Sequence, residues 1–158
     1  MILVKVDQIF LSDMGFVVIL KGSDDPRGVP IFVGAAEAQA IAIQVQEIKV
    51  PRPLTHDLLK NIITDLKASV EKVVVCDLKD NTFYALIYLA TSGDTIAIDA
   101  RPSDAIALAL RARAPIFVEE TVIDNAKTVD ISADKPDADR LQKWLESLDP
   151  EELGKYKM

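Results

Sequence analysis

The dipeptide Asp80-Asn81 lies between two runs rich in β-branched and aromatic residues, 70–79 and 82–90, and no other feature constrains the fold as tightly. Two residues that tolerate positive φ at the tip of such a pair specify a two-residue hairpin turn. An unbroken ladder pairs Lys79 with Thr82, Asp77 with Tyr84, Val75 with Leu86 and Val73 with Tyr88. Ser92-Gly93 then returns the chain into residues 94–99, completing a three-stranded antiparallel meander. Alternation puts Val74, Cys76, Leu78, Phe83, Ala85, Ile87, Leu89, Ile96 and Ile98 on one face, the expected core. The other face carries Val73, Val75, Asp77, Tyr84, Leu86, Tyr88, Ala97 and Asp99. That face is too apolar to stand open to water, so a helix or a second subunit is expected to cover it.

Local signals outline the remainder. Residues 1–11 read as a strand, Ser12-Asp13-Met14-Gly15 as a turn, and residues 16–20 as a second strand. A polar loop, 22–28, contains two glycines but lacks the Gly-Lys-Ser/Thr ending of a phosphate-binding P-loop. A short strand over 29–33 leads to a helix expected over 35–48, with Ala38, Ile41, Ala42, Val45 and Ile48 on one face and Glu37 at its margin. Pro51-Arg52-Pro53 breaks the chain. Thr55 can then N-cap a helix with the stripe Leu58, Leu59, Ile62, Ile63 and Leu66, and Leu54 and Leu59 stand as its hydrophobic staple. Residues 105–110 are all apolar, and a helix without a polar side is buried. Ser103 is its expected N-cap, and Arg111 and Arg113 suit its C-terminal dipole. Residues 116–118 form a short strand. Leu141, Trp144, Leu145 and Leu148 mark a last amphipathic helix ending near Pro150. The expected architecture is α+β: a mostly antiparallel sheet with a three-stranded meander, packed with three to four helices. One domain covers 1–125, a helical extension 126–150 and a disordered tail 151–158.

Composition narrows the class. At 158 residues, 49% hydrophobic and 27% charged, the chain is a globular protein of ordinary single-domain size. Its longest apolar run, 83–90, is far short of the roughly 20 residues a membrane helix needs. Lys5 and Asp7 interrupt any signal-peptide core, which points to the cytoplasm. A single cysteine, Cys76, excludes an internal disulfide and a multi-cysteine zinc site, and its place among valines reads as an inert core thiol. Net charge is −7, concentrated in the last 40 residues, where 6 basic side chains meet 11 acidic ones. A tight non-specific DNA binder gains affinity from surplus Lys and Arg, and none is present. Any nucleic acid is therefore a weakly held substrate rather than a tight partner.

Two polar clusters carry the candidate chemistry. His56, the one histidine, stands with Asp57 at a helix start, where it can act as a general base with Asp57 orienting it. Helix capping explains Asp57 equally. Asp99-Ala100-Arg101-Pro102-Ser103-Asp104 places two carboxylates, a guanidinium and a hydroxyl between a strand end and a buried helix. Arg101 and the helix start at Ser103 can hold phosphate, and Asp99 and Asp104 can hold Mg²⁺ or Mn²⁺. Capping and local ion pairing explain the same residues. Glu37 is a third acidic candidate at another helix start. Tyr84 and Tyr88 can stack bases, although cross-strand packing is the plainer account without a basic groove.

The stretches Arg52-Pro53-Leu54-Thr55-His56-Asp57-Leu58-Leu59 and 98–111 (IDARPSDAIALALR), preceded by 34–41 (GAAEAQAI), resemble the bifunctional nuclease family of bacteria and plants. The resemblance covers roughly residues 1–125 and implies an α+β domain that cleaves DNA and RNA and self-associates, a dimer being favoured. With it, the residues suggest a low-specificity phosphodiesterase. Glu37, His56 and Asp57 are then catalytic, Arg101 and Ser103 bind phosphate, and Asp99 and Asp104 hold the metal. A non-catalytic homo-oligomeric regulatory or binding module is the alternative.

Overall fold

Asp80 and Asn81 adopt positive φ values of 50° and 59°, as a tight right-twisting hairpin requires. The hairpin they close joins β4 (Ser69–Lys79) to β5 (Thr82–Ala90). β6 (Thr95–Ala100) adds antiparallel to β5 and completes the expected meander. A second antiparallel meander comes from the N-terminus: β1 (Ile2–Ser12), β2 (Gly15–Gly22) and β3 (Arg27–Val33). The structure, a computed structural model, describes residues 1–130. The expected helix around Leu141, Trp144, Leu145 and Leu148, and the expected tail, lie outside the described residues.

One short strand unites the two meanders. β7 (Ile116–Val118) pairs antiparallel with β1 on one side and parallel with β4 on the other. A parallel neighbour needs a crossover, and α3 (Pro102–Ala112) supplies it by carrying the chain from β6 back to β7. The result is an eight-stranded sheet in the order β6-β5-β4-β7-β1-β2-β3-β8, with β8 (Val129–Asp130) on the far edge. Three further helices, α1 (Ala35–Val45), α2 (Thr55–Asp65) and α4 (Glu120–Asn125), complete an α+β fold. α3 packs against α1, α2, β3, β4 and β5, so it is the hub of the helical layer. Ala105, Ile106, Ala107, Leu108 and Ala109 are each at most 1% exposed, as a helix apolar on all sides should be.

The hairpin register departs from the simple ladder. Lys79–Thr82 and Asp77–Tyr84 pair as expected, but the register then shifts, so that Val75 faces Ala85 and Val73 faces Ile87. Cys76 is the extra residue of a β-bulge. A bulge exchanges the two faces of the strand beyond it. Val73 and Val75 therefore join Ala85 and Ile87 in the core, where each valine is 1% exposed. Val74, expected in the core, moves in exchange to the other face opposite Leu86, and α4 packs on the same strand. There Leu86 and Tyr88 are half-buried, Tyr84 is exposed, and Lys72 and Lys79 lie over the Tyr88 and Tyr84 rings. Cys76 itself is only partly buried, and that burial pushes its thiol pKa up, in keeping with an unreactive thiol.

Ile96 and Ile98 share the inward face with Leu89 and Ile87, but they lie on the edge strand and remain 47% and 42% exposed. α1 also ends earlier than its apolar stripe implies, at Val45, which leaves Val45 and Ile48 exposed. Burial, rather than alternation, sets the energetic weight of each position. Ile87→Ala should cost about 3 kcal/mol and Ile96→Ala less than about 1 kcal/mol, as measured by chemical denaturation of each variant.

Candidate active site

Three helix starts meet at one end of this layer. α1 begins after Gly34, and Glu37 occupies its first turn. α2 begins at Thr55 itself, so Leu54 rather than Thr55 is the N-cap, and the staple expected around Thr55 shifts out of register. The side chain of Asp57 does the capping, its Oδ2 accepting the Leu54 N–H at 2.9 Å. α3 begins at Pro102, with Arg101 as the N-cap. Proline is preorganised for the first helical position and has no N–H to satisfy there, which moves the start one residue ahead of Ser103. Ser103 is therefore not a cap. Its side chain points into the core, fully buried, and its Oγ has no hydrogen-bond partner among the described residues.

The polar side chains at these starts touch in sequence. Glu37 Oε1 accepts from Arg101 Nη2 at 3.0 Å, and Asp104 Oδ2 accepts from Arg101 Nε at 2.8 Å. Asp104 Oδ1 lies 2.9 Å from His56 Nε2. Burial pushes the Asp104 carboxyl up, but hydrogen bonds from Arg101 and His56 outweigh it and hold the group below the usual carboxylate range. Asp104 is thus ionised at neutral pH and can only accept, so the hydrogen between the two groups sits on Nε2. His56 Nδ1 has no partner among the described residues, which in the neutral ring leaves its lone pair available as a base.

These groups border an open cleft of about 1180 Å³. Glu37, His56, Asp99, Arg101 and Asp104 line it, with aliphatic walls that include Ile43, Leu59, Ile87 and Leu89. The phosphodiesterase reading asks residues 37, 56–57 and 99–104 to share one cleft, and of these Glu37, His56, Asp99, Arg101 and Asp104 border it. Two candidates stand apart. Ser103 is in the core. Asp57 is absent from the cleft walls and instead binds Arg111, its Oδ1 accepting from Nε at 2.8 Å. Backbone and side-chain hydrogen bonds from Leu54 and Arg111 overcome the upward push of burial and lower the Asp57 pKa.

In the sequence Arg111 has only a favourable place near the C-terminal dipole of α3, and its buried contacts were missed, although one signal for them was available. A charge on the last turn of a wholly apolar helix needs a buried partner, although its identity could not be read from the sequence. The acidic residues do not form a ready cage for Mg²⁺ or Mn²⁺. Asp104 has both oxygens engaged, and Asp99, although it borders the cleft, pairs with Leu86 and so turns its side chain toward the opposite sheet face. No group of three His, Cys, Asp or Glu among the described residues stands close enough to hold an ion.

A family model described as the bifunctional nuclease domain matches residues 18–130, a span that includes every residue of the cleft. The chain belongs to the bifunctional nuclease family. An uncharacterized protein of Mycobacterium tuberculosis is 35% identical over 148 residues, 87% of each chain. The protein named bifunctional nuclease 1 in Oryza sativa subsp. japonica is 29% identical over 100 residues, which cover 61% of this chain and 30% of the rice protein. Bifunctional nuclease 2 of Arabidopsis thaliana is 28% identical over 137 residues, covering 78% of this chain and 40% of the plant protein. Among the described residues no helix is long and apolar enough to cross a membrane.

A Cβ on Gly34 would overlap Oε2 of Glu37, while the Gly34 φ of −71° suits any residue. Gly34→Ala should therefore fold normally but swing Glu37 away from Arg101, which a crystal structure of the variant would reveal. The lowered pKa values of Asp57 and Asp104 carry stabilisation that is fully present above 3.8 and lost as the pH falls through the lower folded values. Thermal melts should hold level from neutral pH down to about 4 and decline below it, with a shallower decline in Asp104→Asn.

Proposed function

We propose that the cleft hydrolyses phosphodiester bonds in RNA and DNA with low sequence specificity. The observation that carries this reading is the contact chain Glu37–Arg101–Asp104–His56 inside one cleft. Asp104 holds the hydrogen on His56 Nε2, and Nδ1 takes a proton from the attacking hydroxyl as its oxygen bonds to phosphorus. The bond to the leaving oxygen breaks, and that oxygen receives the proton back from the imidazolium. Arg101, almost half exposed at the rim, faces the charge that builds on the phosphoryl oxygens, and Glu37 fixes its plane.

The aliphatic walls give a nucleotide shape and dryness but few base-edge partners, in line with low specificity. RNA is the easier substrate, because its 2′-hydroxyl is a nucleophile already held beside the phosphorus. Of the two carboxylates expected to hold a metal, Asp104 is committed to Arg101 and His56 and Asp99 pairs across to Leu86, so His56 carries the proton transfers. Exposed Leu58 and Ile62 on α2, with Leu66 at its C-terminal cap, support the expected homo-oligomer, and the cytoplasm is the expected place of action.

One observation favours the rival reading of a non-catalytic binding module. Glu37 and Asp104 already neutralise Arg101, which weakens its pull on phosphate. Incubation of the purified chain with single-stranded RNA and DNA, in Mg²⁺, in Mn²⁺ and in EDTA, separates the two. Cleavage that persists in EDTA, is faster on RNA and falls about 100-fold or more in His56→Ala is expected. Absence of cleavage in all three conditions, or cleavage at the wild-type rate by His56→Ala and Asp104→Asn, would sink the assignment.

A further inference from the structure

The reaction above makes no use of the Arg111–Asp57 pair, yet this pair sits where the three helices of the site come together. The Arg111 side chain is 2% exposed, and each of its nitrogens is engaged. Nε donates to Asp57 Oδ1 at 2.8 Å, Nη1 to Ala107 O at 2.8 Å, and Nη2 to Ala40 O at 3.0 Å. One guanidinium therefore ties the last turn of α3 to the body of α1 and to the first turn of α2. Those helices carry Asp104 (with Arg101 at the N-cap), Glu37, and His56 respectively. The second oxygen of Asp57 holds the Leu54 N–H, fixing the chain as it enters α2.

α2 needs such an anchor because it has no fully buried residue, so apolar burial alone fixes its start poorly. His56 is the neighbour of Asp57 in that same first turn. We propose that Arg111 and Asp57 are positioning residues that hold the start of α2 so that His56 Nε2 meets Asp104. The proposal rests on the reading of His56 and Asp104 as the working pair. Lysine cannot take the place of Arg111, because a single ammonium cannot reproduce a planar fork directed at three acceptors on three helices.

His56 is the one histidine in the chain, so its imidazole ¹⁵N–¹H signals in the full-length protein identify themselves. Asp104→Ala supplies the spectrum of the broken contact. Arg111→Lys and Asp57→Asn should remain folded by circular dichroism, while their His56 signals move to those of Asp104→Ala. Their kcat should fall about 100-fold with KM little changed, the scale of a small misplacement of a reacting group. Folded variants that keep wild-type His56 signals would overturn the proposal. So would failure of both variants to fold, since the pair would then serve the fold alone. If wild type cleaves nothing, the nuclease reading fails, and the imidazole signals still decide the positioning claim.

Discussion

A helix buried on nearly every side cannot carry ionisable groups unless its neighbours satisfy them, and α3 carries them at both ends. Its middle, Ala105 to Ala109, is sealed in the core. At its start Arg101 and Asp104 emerge and are met by Glu37 and His56. At its end Arg111 cannot leave the protein interior and is met by the Ala40 carbonyl and Asp57. Isolated buried charge is too costly to persist unpaired, so the demand of α3 for partners fixes how α1 and α2 are set against it. The cleft is what remains between the three helix starts once that demand is met.

The sheet provides the support for this arrangement. β7 contributes only three residues, but it pairs with both β1 and β4 and turns two separate meanders into one surface. The crossover that makes β7 possible is α3, so the element that organises the site also closes the sheet. On the cleft side β5 and β6 present aliphatic residues, Ile87, Leu89 and Ile98. The low polarity of that wall strengthens the electrostatics of the groups opposite it. The acidic balance of the whole chain agrees with weak rather than tight retention of a polyanion.

Much of this was legible along the chain. Asp80-Asn81 specified its turn, the apolar block at 105–110 specified a buried helix, and the two polar clusters contained every ionisable residue that lines the cleft apart from Glu37, which was singled out separately. The errors share one cause. The bulge at Cys76, the helix start at Pro102 and the N-cap at Leu54 rather than Thr55 each shift a local pattern by one or two residues, and periodicity has no means of registering such a shift. A one-residue slip nevertheless reverses which face a valine covers and whether a serine caps or is buried.

By itself the sequence determined the elements, because hydrophobic period, turn chemistry and helix signals act between residues a few positions apart. It also confined the reactive groups to a short set of candidates. Tertiary structure alone decided which of them meet. Arg101 with Glu37, His56 with Asp104, Arg111 with Asp57 and Arg111 with Ala40 are separated by 64, 48, 54 and 71 residues. Such contacts depend on how α1, α2 and α3 pack, since charges far apart along a chain become neighbours only when burial leaves them no other partner.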